Sequence, residues 1–560
     1  MNPVAAGTCR SLGELLDDAT LTFKSEVALV EAARNRESHA WTYLDFRRET
    51  GRIAAWMLAH GVGLNDRVAV LMTNQSRWLV AAAAAFRVGA VVVPLDYKLT
   101  PGEVDVLLGL AGPRLLVTEY GLARRLERAT AVLAVECPAN AALADGWTRW
   151  DDVPDGDLPP LVARERSDIA TLVYSSGTGG TPKGCLLSHG AYLAQLEALV
   201  GLYPMEPGER FFSILPTNHA IDFMCGFLAP FACGATVVHQ RTLRPEFLRA
   251  TLQRYRITHM AAVPMILESL KTAVEEKLDA LPGWQRTVVD GLLGANAALT
   301  ERSPRPALSQ QLLKPVLAGF GGSLKLVFTG GAFVRPELAE FFYRLGIGIV
   351  IGYGLTEACT VVAVNDLKPF RADSVGRAVP GTALRIAEPG PTGVGEVQVS
   401  GPTVMSGYDQ APELTAEAFT EDGWLRTGDL GWLDASGHLH LVGRQRNMIV
   451  TAGGKNVYPE DIEGAFGELP CDELAVFAAD FVWPRTGGLG TEELIAVVRG
   501  VSDLGPVRAA NRRLPDHKRV SGIVRWHEDF PRTASMKLQR AVLAEALRSA
   551  LTRDAIERLA

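Results

Sequence analysis

The chain has 560 residues, of which 48% are hydrophobic and 21% charged, with a formal net charge of −7. This globular composition excludes a disordered or collagen-like chain, and the mild acidity offers no overall attraction for nucleic acid or anionic lipid. The longest apolar run covers only residues 78–86, too few for a membrane helix, and acidic residues near the N-terminus argue against a signal peptide. Seven scattered cysteines without a CxxC pair indicate neither disulfides nor a zinc site, so we expect a cytoplasmic protein with no transmembrane segment.

Helical and β-rich segments alternate over most of the chain. Residues 67–72 and 90–94 are predicted as buried strands on either side of a helix over 78–87, which is the βαβ pattern of a parallel sheet. Further strands are predicted at 170–174, 210–215, 236–239, 258–263, 324–329 and 347–351. The first part of the chain is therefore predicted to be an α/β structure.

The pattern changes towards the C-terminus. Short strands separated by turns, which favour a small β-barrel or meander, are predicted at 382–386, 395–400, 431–433 and 439–442. After Arg444 a separate α+β pattern begins, with strands at 474–478 and 494–498 and a final helix from about 538. We therefore predict two domains, residues 1–444 and residues 445–560.

The strongest motif is the segment 174–184 (YSSGTGGTPKG), which follows a predicted strand and is expected to precede a helix. Glycines let the backbone approach a ligand closely, and hydroxyls and Lys183 can donate to an anion, so the segment predicts a phosphate cradle. It is not a Walker loop, because Pro182 stands where that motif has Gly before Lys. The chain has 11 lysines among 56 basic residues, so a lysine in such a loop points to a place where an ammonium is needed.

Three weaker motifs follow along the chain. The segment 352–357 (GYGLTE) has Glu357 where a dinucleotide fold needs its third Gly, and a carboxylate after a Gly-rich strand end suits Mg²⁺. The segment 424–431 (WLRTGDLG), together with Gly443 and Arg444, could place Asp429 and Arg444 against sugar hydroxyls. The segment 531–537 (PRTASMK) ends in a loop lysine, Lys537.

In this order the four segments resemble the adenylate-forming superfamily: acyl-CoA synthetases, peptide-synthetase adenylation domains and firefly luciferase. The resemblance extends from residue 41 to 540 and includes further stretches at 330–332 (GGA), 395–408 and 453–456 (GGKN). The chain is most similar to long-chain fatty acyl-CoA synthetases, in the long stretch between Pro264 and Gly330, in 335–342 (RPELAEFF) and in 536–538 (MKL). This resemblance implies a large N-terminal domain of stacked α/β subdomains plus a small β-barrel, and a small mobile α+β C-terminal domain.

The resemblance also implies roles for individual residues. The residues that it implies for ATP binding are Ser175, Ser176, Gly177, Thr178, Gly180, Lys183, Gly330, Gly331, Ala332, Gly352, Tyr353, Gly354, Thr356, Asp429 and Arg444. Among these, the loop 175–183 would bind the phosphates, 330–332 would line the adenine pocket with Tyr353 stacking on the ring, and Asp429 and Arg444 would hold the ribose. The implied catalytic residues are Lys537, Glu357, Thr356, Lys183 and His219, with Glu357 as the Mg²⁺ ligand, Thr356 contacting phosphate, His219 at the acyl pocket entrance and Arg446 at the hinge.

The implied reaction is the ATP- and Mg²⁺-dependent activation of a carboxylic acid to acyl-AMP, followed by transfer to a thiol, with CoA as the first choice. The apolar segment 219–231 favours a medium or long-chain fatty acid. Transfer to the phosphopantetheine of an acyl carrier protein stays open. So does amino-acid adenylation, because Asp222 stands where the long-chain group often has Glu-Arg and could pair with a substrate ammonium. A non-catalytic binding protein that kept the fold is the alternative from another class.

Overall fold

The computed structural model describes residues 3–33, 36–128, 131–175, 182–301, 305–444, 447, 449–450, 456–467, 469, 471–483, 493–533 and 538–559. The chain separates into two compact units. Unit 1 consists of Met1–Ala372, Gly376–Ala383 and Val399–Leu425, and unit 2 of Asp373–Val375, Leu384–Gln398 and Arg426–Ala560. The domain boundary expected between residues 444 and 445 stays a prediction.

The strands, in chain order, are β1 (Val27–Ala33), β2 (Arg36–Thr42), β3 (Arg67–Leu71), β4 (Val91–Pro94), β5 (Leu115–Glu119), β6 (Val132–Val135), β7 (Trp147–Arg149), β8 (Ile169–Ser175), β9 (Lys183–Ser188), β10 (Arg210–Ser213), β11 (Thr236–Gln240), β12 (His259–Ala262), β13 (Leu326–Gly330), β14 (Gly348–Tyr353), β15 (Ala363–Val364), β16 (Arg377–Ala378), β17 (Ala383–Ala387), β18 (Gly395–Ser400), β19 (Gly407–Tyr408), β20 (Leu425–Leu433), β21 (Leu439–Arg444), β22 (Ile449–Val450), β23 (Asn456–Val457), β24 (Glu473–Ala478), β25 (Leu494–Arg499), β26 (Gly522–Arg525) and β27 (Glu557–Arg558).

The α-helices are α1 (Leu12–Phe23), α2 (Tyr43–Ala59), α3 (Ser76–Arg87), α4 (Pro101–Ala111), α5 (Tyr120–Ala123), α6 (His189–Leu202), α7 (Ala229–Ala232), α8 (Pro245–Arg254), α9 (Pro264–Asp279), α10 (Gly283–Thr300), α11 (Pro306–Leu312), α12 (Lys314–Leu317), α13 (Pro336–Arg344), α14 (Pro412–Ala418), α15 (Pro459–Ala465), α16 (Ala479–Val482), α17 (Gly505–Arg513) and α18 (Arg540–Ala550). A π-helical segment, Asp222–Leu228, precedes α7. Two of the helices begin with full capping boxes, Thr42 with Asp45 in α2 and Thr100 with Glu103 in α4, which satisfy amide groups of the first turn. None of the helices in the described ranges is long and apolar enough to cross a membrane.

Two large mixed sheets organise the described part of unit 1. One has the strand order β16-β15-β14-β13-β12-β10-β11-β1-β2 and the other the order β19-β9-β8-β4-β3-β5-β6-β7. In the first, β10 to β14 pair in parallel, and in the second β3 pairs in parallel with β4 and β5. These strands are short, almost wholly apolar and buried, because helices cover parallel sheets on both faces.

Unit 2 contains smaller sheets. Most residues of a four-stranded sheet with the order β17-β18-β20-β21 belong to it, and its C-terminal part holds a second four-stranded sheet, β24-β25-β26-β27. Apolar clusters line this second sheet on both faces, one around Val476 and Ile462 and the other around Phe477 and Leu543. The last part of the chain therefore has a hydrophobic core of its own.

Two local predictions were wrong. The residues directly after the glycine-rich loop were expected to be helical, but they form β9, and α6 begins only at His189, where Ser188 caps the first turn. The strand predicted at 431–433 was too short, because β20 runs from Leu425 to Leu433 and includes Asp429. Both segments are short, and short runs do not reveal their period from sequence.

Candidate active site

A β-hairpin brings two of the predicted phosphate-binding residues together. Strands β8 and β9 are antiparallel, and Ser175 pairs with Lys183 at the end of their ladder. On the other side of β9, the short strand β19 places Tyr408 opposite Cys185. The Lys183 ammonium lies 5.2 Å from the centre of the Tyr408 ring, a cation–π contact. A cation is thus held at the point where the chain enters and leaves the predicted loop.

Glu357 reaches the same place from the first sheet of unit 1. It lies in a single 3₁₀ turn, Thr356–Ala358, shortly after β14. Its carboxylate oxygen Oε1 accepts hydrogen bonds from the Ser175 hydroxyl at 3.4 Å and from the Tyr408 hydroxyl at 3.2 Å. Burial, and after it the charge of Glu357, raises the pKa of Tyr408, so its phenol remains a donor. Two hydroxyls therefore orient one half-buried carboxylate.

This carboxylate fits the predicted magnesium role. The described residues contain no group of three or more His, Cys, Asp or Glu side chains that could hold a metal ion by themselves. Mg²⁺ in phosphate-binding sites usually takes one or two carboxylates and completes its shell with phosphate oxygens and water. A single oriented glutamate beside a loop that is suited to phosphate matches that donor set.

The glycines of the predicted adenine pocket lie at the carboxyl ends of two neighbouring parallel strands. Gly330 pairs with Gly352, and a Cβ atom at Gly330 would clash with the Gly352 carbonyl oxygen. A Cβ atom at Gly354 would clash with the Thr360 carbonyl oxygen, so packing alone requires both glycines. Tyr353 is 7% exposed. The carboxyl ends of strands in open α/β sheets are also where ligands bind. The position of these glycines therefore fits a packing requirement and a ligand site equally well.

Gly331 and Ala332 follow β13 directly, and both are exposed. Gly331 has a φ of +76°, a backbone conformation that favours glycine. The exposed backbone of these two residues thus lies at the edge to which β13 and β14 lead. Their proposed contact with a base stays a prediction.

His219 lies beyond β10 and faces a carboxylate that sequence reasoning missed. Its Nε2 atom is 3.5 Å from Oδ2 of Asp96, which follows β4. Burial tends to raise the pKa of Asp96, but the nearby His219 imidazole and the hydrogen bond from the Lys98 amide together lower it, so the carboxylate stays charged. Asp96 therefore places a carboxylate directly beside the imidazole.

Asp222 is buried inside unit 1 in the π-helical segment. Its Oδ2 atom accepts hydrogen bonds from the Ser213 hydroxyl at 2.8 Å and the Thr217 hydroxyl at 3.1 Å, whereas Oδ1 has no partner among the described residues. Burial raises the pKa of Asp222 to about 7, although the two hydroxyls lower it. The carboxyl group thus holds the loop that leads from β10 to His219, and no sequence pattern indicated its partners.

In unit 2, the two residues predicted to hold the ribose, Asp429 and Arg444, form an ion pair. Asp429 and Arg444 are opposite each other on β20 and β21, and Arg444 Nε lies 2.8 Å from Asp429 Oδ1. Asp429 is 5% exposed, and the Thr427 hydroxyl accepts a hydrogen bond from its amide. The β-ladder therefore explains why these two residues come together.

Several predicted site residues lie outside the described residues: Ser176, Gly177, Thr178, Gly180, Arg446 and Lys537. Their roles stay predictions. Among the described residues, sequence reasoning missed Tyr408 and Asp96 as neighbours of the site. Tyr408 lies within the stretch 395–408 on which the resemblance partly rests, so that stretch contained a usable signal, whereas nothing local marked Asp96.

Comparison with known proteins supports these observations. Residues 16–409 match the family model described as AMP-binding enzyme. A long-chain-fatty-acid–CoA ligase of Mycobacterium bovis is 30% identical over 463 residues, covering 79% of this chain and 76% of the relative. A feruloyl-CoA synthase of Amycolatopsis is 31% identical over 515 residues, covering 89% and 92%.

A solved structure shares the fold. It is the O-succinylbenzoate coenzyme A synthetase of Bacillus subtilis in complex with ATP and magnesium ion, with a TM-score of 0.72 and 22% identity, covering 94% of this chain and 98% of that chain. The predicted resemblance and the predicted α/β fold class are confirmed. The predicted enzyme class, an acid–thiol ligase, is confirmed as well.

Proposed function

We propose that this chain, which belongs to the AMP-binding enzyme family, activates an aliphatic carboxylic acid with ATP and transfers the acyl group to CoA. A carboxylate is a poor acyl donor because its oxygen is a poor leaving group. Attack of the carboxylate on the α-phosphate of ATP would give an acyl-adenylate and release pyrophosphate, and the CoA thiol would then displace AMP. The protein needs no nucleophile of its own for either step, so its task is to align the reactants and balance their charges.

The observation that supports this proposal most directly is the grouping of Lys183, Ser175 and Glu357 around Tyr408. Lys183 supplies a positive charge for phosphate oxygens, and Ser175 opens the loop that would surround them. Glu357 would hold Mg²⁺, which when bound neutralises phosphate charge as pyrophosphate leaves. Thr356, next to Glu357, would contact phosphate.

For the nucleoside part, we assign adenine to the strand ends that contain 330–332 and Tyr353, and the ribose hydroxyls to Asp429 and Arg444. The Asp429 carboxylate can accept from two hydroxyl groups, and the Arg444 guanidinium is paired with it at 2.8 Å. A direct check is the ATP affinity of Asp429→Asn. It should weaken binding of ATP more than binding of a 2′,3′-dideoxy analogue, because only ATP offers the hydroxyls.

The choice of an aliphatic acid rests on the residues beyond His219. Asp222, the acidic residue in that segment, is buried and accepts hydrogen bonds from Ser213 and Thr217. It is thus engaged with the chain itself, which supports an apolar substrate over one with an ammonium group. Two named relatives use different acids, a long-chain fatty acid and ferulate, so an aryl acid is the second candidate, favoured by the feruloyl-CoA synthase of Amycolatopsis, which matches over 89% of this chain.

The test is kcat/KM for AMP release over a panel of acids, with CoA as acceptor. We expect C8–C16 fatty acids to exceed short, aromatic and amino acids, because each buried methylene contributes about 0.8 kcal/mol. A higher kcat/KM for ferulate or another aryl acid would replace the aliphatic assignment by the second candidate. Repeating the best acid with a phosphopantetheinylated carrier protein in place of CoA then decides the acceptor.

The two steps need different surroundings, and we propose that the C-terminal domain turns at Arg446 between them. Lys537 would approach the α-phosphate during adenylation and leave before the thiol attacks. The half-reactions of Lys537 variants, described in the Discussion, test this proposal.

A further inference from the structure

A cavity lies between four helices of unit 1. Helices α8, α9, α10 and α12, with the turn that follows α12, enclose a volume of about 350 Å³. The walls are almost wholly apolar, and the residues that form their buried part are Leu248, Ile266, Val274, Leu278 and Phe320. None of the predicted ATP, acyl or magnesium residues lines this cavity.

Three polar side chains interrupt the apolar lining: Arg249, Ser269 and Lys277. The Lys277 ammonium lies close to the wall formed by Gly319, since a Cβ atom placed on Gly319 would be 3.7 Å from Nζ. Within the described part of the chain, neither Arg249 nor Lys277 has a carboxylate within 4.0 Å. Two cations without a counter-charge therefore border an apolar cavity.

Simple packing does not explain this arrangement. Protein interiors are close-packed and have few voids larger than a water molecule, and a cavity of this volume is in the range of small-molecule sites. Such sites are mostly apolar with a few polar groups that fix orientation. The apolar walls suit a hydrocarbon tail, and the two cations suit a negative head group.

We propose that this cavity is a second binding site, separate from the catalytic one, for a single aliphatic chain with an anionic head group. The tail contacts Val274, Leu278 and Phe320 between α9 and the turn after α12. The head group stays at the rim, where Lys277 and Arg249 neutralise it. A free fatty carboxylate and a fatty acyl thioester of a phosphate-bearing carrier share this chemistry.

The test is calorimetric titration of the full chain with 1-decanesulfonate, an aliphatic anion that ATP cannot activate. Ala273 lines the cavity on α9, and Ala273→Phe fills it. The neighbouring Thr272 is exposed and does not line it, so Thr272→Phe adds the same ring outside the cavity. We expect Ala273→Phe to bind one decanesulfonate fewer per chain than the wild type and Thr272→Phe to bind the wild-type number. Equal stoichiometry in wild type and Ala273→Phe would overturn the proposal.

Charge and chain length give a second readout, which does not depend on filling the cavity. Lys277→Ala should weaken decanesulfonate binding by about fivefold and leave binding of 1-decanol unchanged. Lys271→Ala is the control, because Lys271 is on the same helix and is paired with Glu275 at 3.6 Å. Affinity should rise by about fourfold per added methylene while the tail fits. An unchanged affinity in both Lys277→Ala and Arg249→Ala would contradict the assigned head-group site, even if Ala273→Phe fails to fold.

This inference and the proposed function can fail separately. If the substrate is not aliphatic, the wild type binds one decanesulfonate instead of two, but Ala273→Phe still removes one. Titration with decanoate and with decanoyl-CoA then shows which of the two natural sources of this chemistry the cavity accepts.

Discussion

Replacing Tyr408 with phenylalanine would remove one hydroxyl and keep the ring. The Tyr408 hydroxyl donates to Oε1 of Glu357 at 3.2 Å, and the ring faces the Lys183 ammonium. The substitution therefore separates the two roles, because the cation–π contact needs only the ring. If Tyr408 acts by orienting the magnesium-binding carboxylate, the loss should appear in the response to Mg²⁺.

The expected magnitude follows from the geometry. A hydrogen bond to a charged group contributes about 1.5–3 kcal/mol, and this bond is long and half-buried, so we take about 1.5 kcal/mol. That corresponds to about a tenfold higher Mg²⁺ concentration for half-maximal pyrophosphate release, within the range found when partners of metal ligands are removed. The control is Tyr343→Phe, because the Tyr343 hydroxyl has no hydrogen-bond partner among the described residues.

A double-mutant cycle with Glu357→Gln shows whether the effect passes through the carboxylate. Glu357→Gln by itself should lower magnesium-dependent activity strongly while the fold is retained, because it removes the charge that holds the ion. In that background, Tyr408→Phe should change the activity by less than about twofold, since the interaction that it disrupts is already lost. If Tyr408→Phe costs the same with and without Glu357, or leaves the Mg²⁺ dependence of the wild type unchanged, Tyr408 does not orient this carboxylate.

Three further predictions concern separate parts of the chain. Lys537→Ala should lower adenylate formation by about 10²–10³-fold but still convert a supplied acyl-adenylate to thioester, and Lys537→Arg should restore little; equal losses in both half-reactions would refute domain alternation. The folded chain keeps the Asp222 proton up to about pH 7, whereas the unfolded chain loses it near pH 3.8, so stability falls as the pH rises between these values. Urea unfolding should therefore show that the wild type loses about 2–3 kcal/mol more than Asp222→Asn between pH 5 and 8, and parallel profiles would contradict this. Gly354→Ala should cost more than about 3 kcal/mol in the same assay, because its Cβ would clash with the Thr360 carbonyl oxygen, whereas Gly294→Ala on α10, with open space around it, should stabilise by up to about 1 kcal/mol.

The parallel strands could be predicted from sequence because burial on both faces requires continuous apolar runs. Residues 324–329 and 347–351 were predicted as strands, and β13 and β14 occupy Leu326–Gly330 and Gly348–Tyr353. At the end of β13 only glycine fits, because a Cβ atom at Gly330 would clash with the Gly352 carbonyl oxygen of the neighbouring strand. The location of these two strands could thus be predicted from the apolar composition of short consecutive segments.

The wrong predictions have a different physical origin. Residues 183–188 contain too few side chains to distinguish period 2 from period 3.6, and their strand state depends on pairing with both β8 and β19. Likewise, the Thr-Gly-Asp segment has the residues of a turn, yet pairing with β21 keeps it extended. In both cases tertiary pairing outweighs local preference.

The contacts of the site depend on long-range folding in the same way. Glu357 and Ser175 are 182 residues apart, and Glu357 and Tyr408 are 51 apart, so no local pattern relates them. The sequence could identify Glu357 as a carboxylate after a Gly-rich strand end. It could not show that hydroxyl groups, and not a cation, would be its neighbours.

That distinction has a chemical consequence. If Lys183 formed an ion pair with Glu357, each charge would cancel the other, and both would be less available to a metal ion and to phosphate. Instead, the ammonium lies over the Tyr408 ring, and the carboxylate takes its hydrogen bonds from two neutral hydroxyls. Tyr408 thus contacts both groups and adds no charge of its own, since burial raises the pKa of its phenol. Opposite charges held a short distance apart are what a site needs if it is to bind a metal ion and polyphosphate side by side, because each ligand then meets an uncancelled charge of the opposite sign.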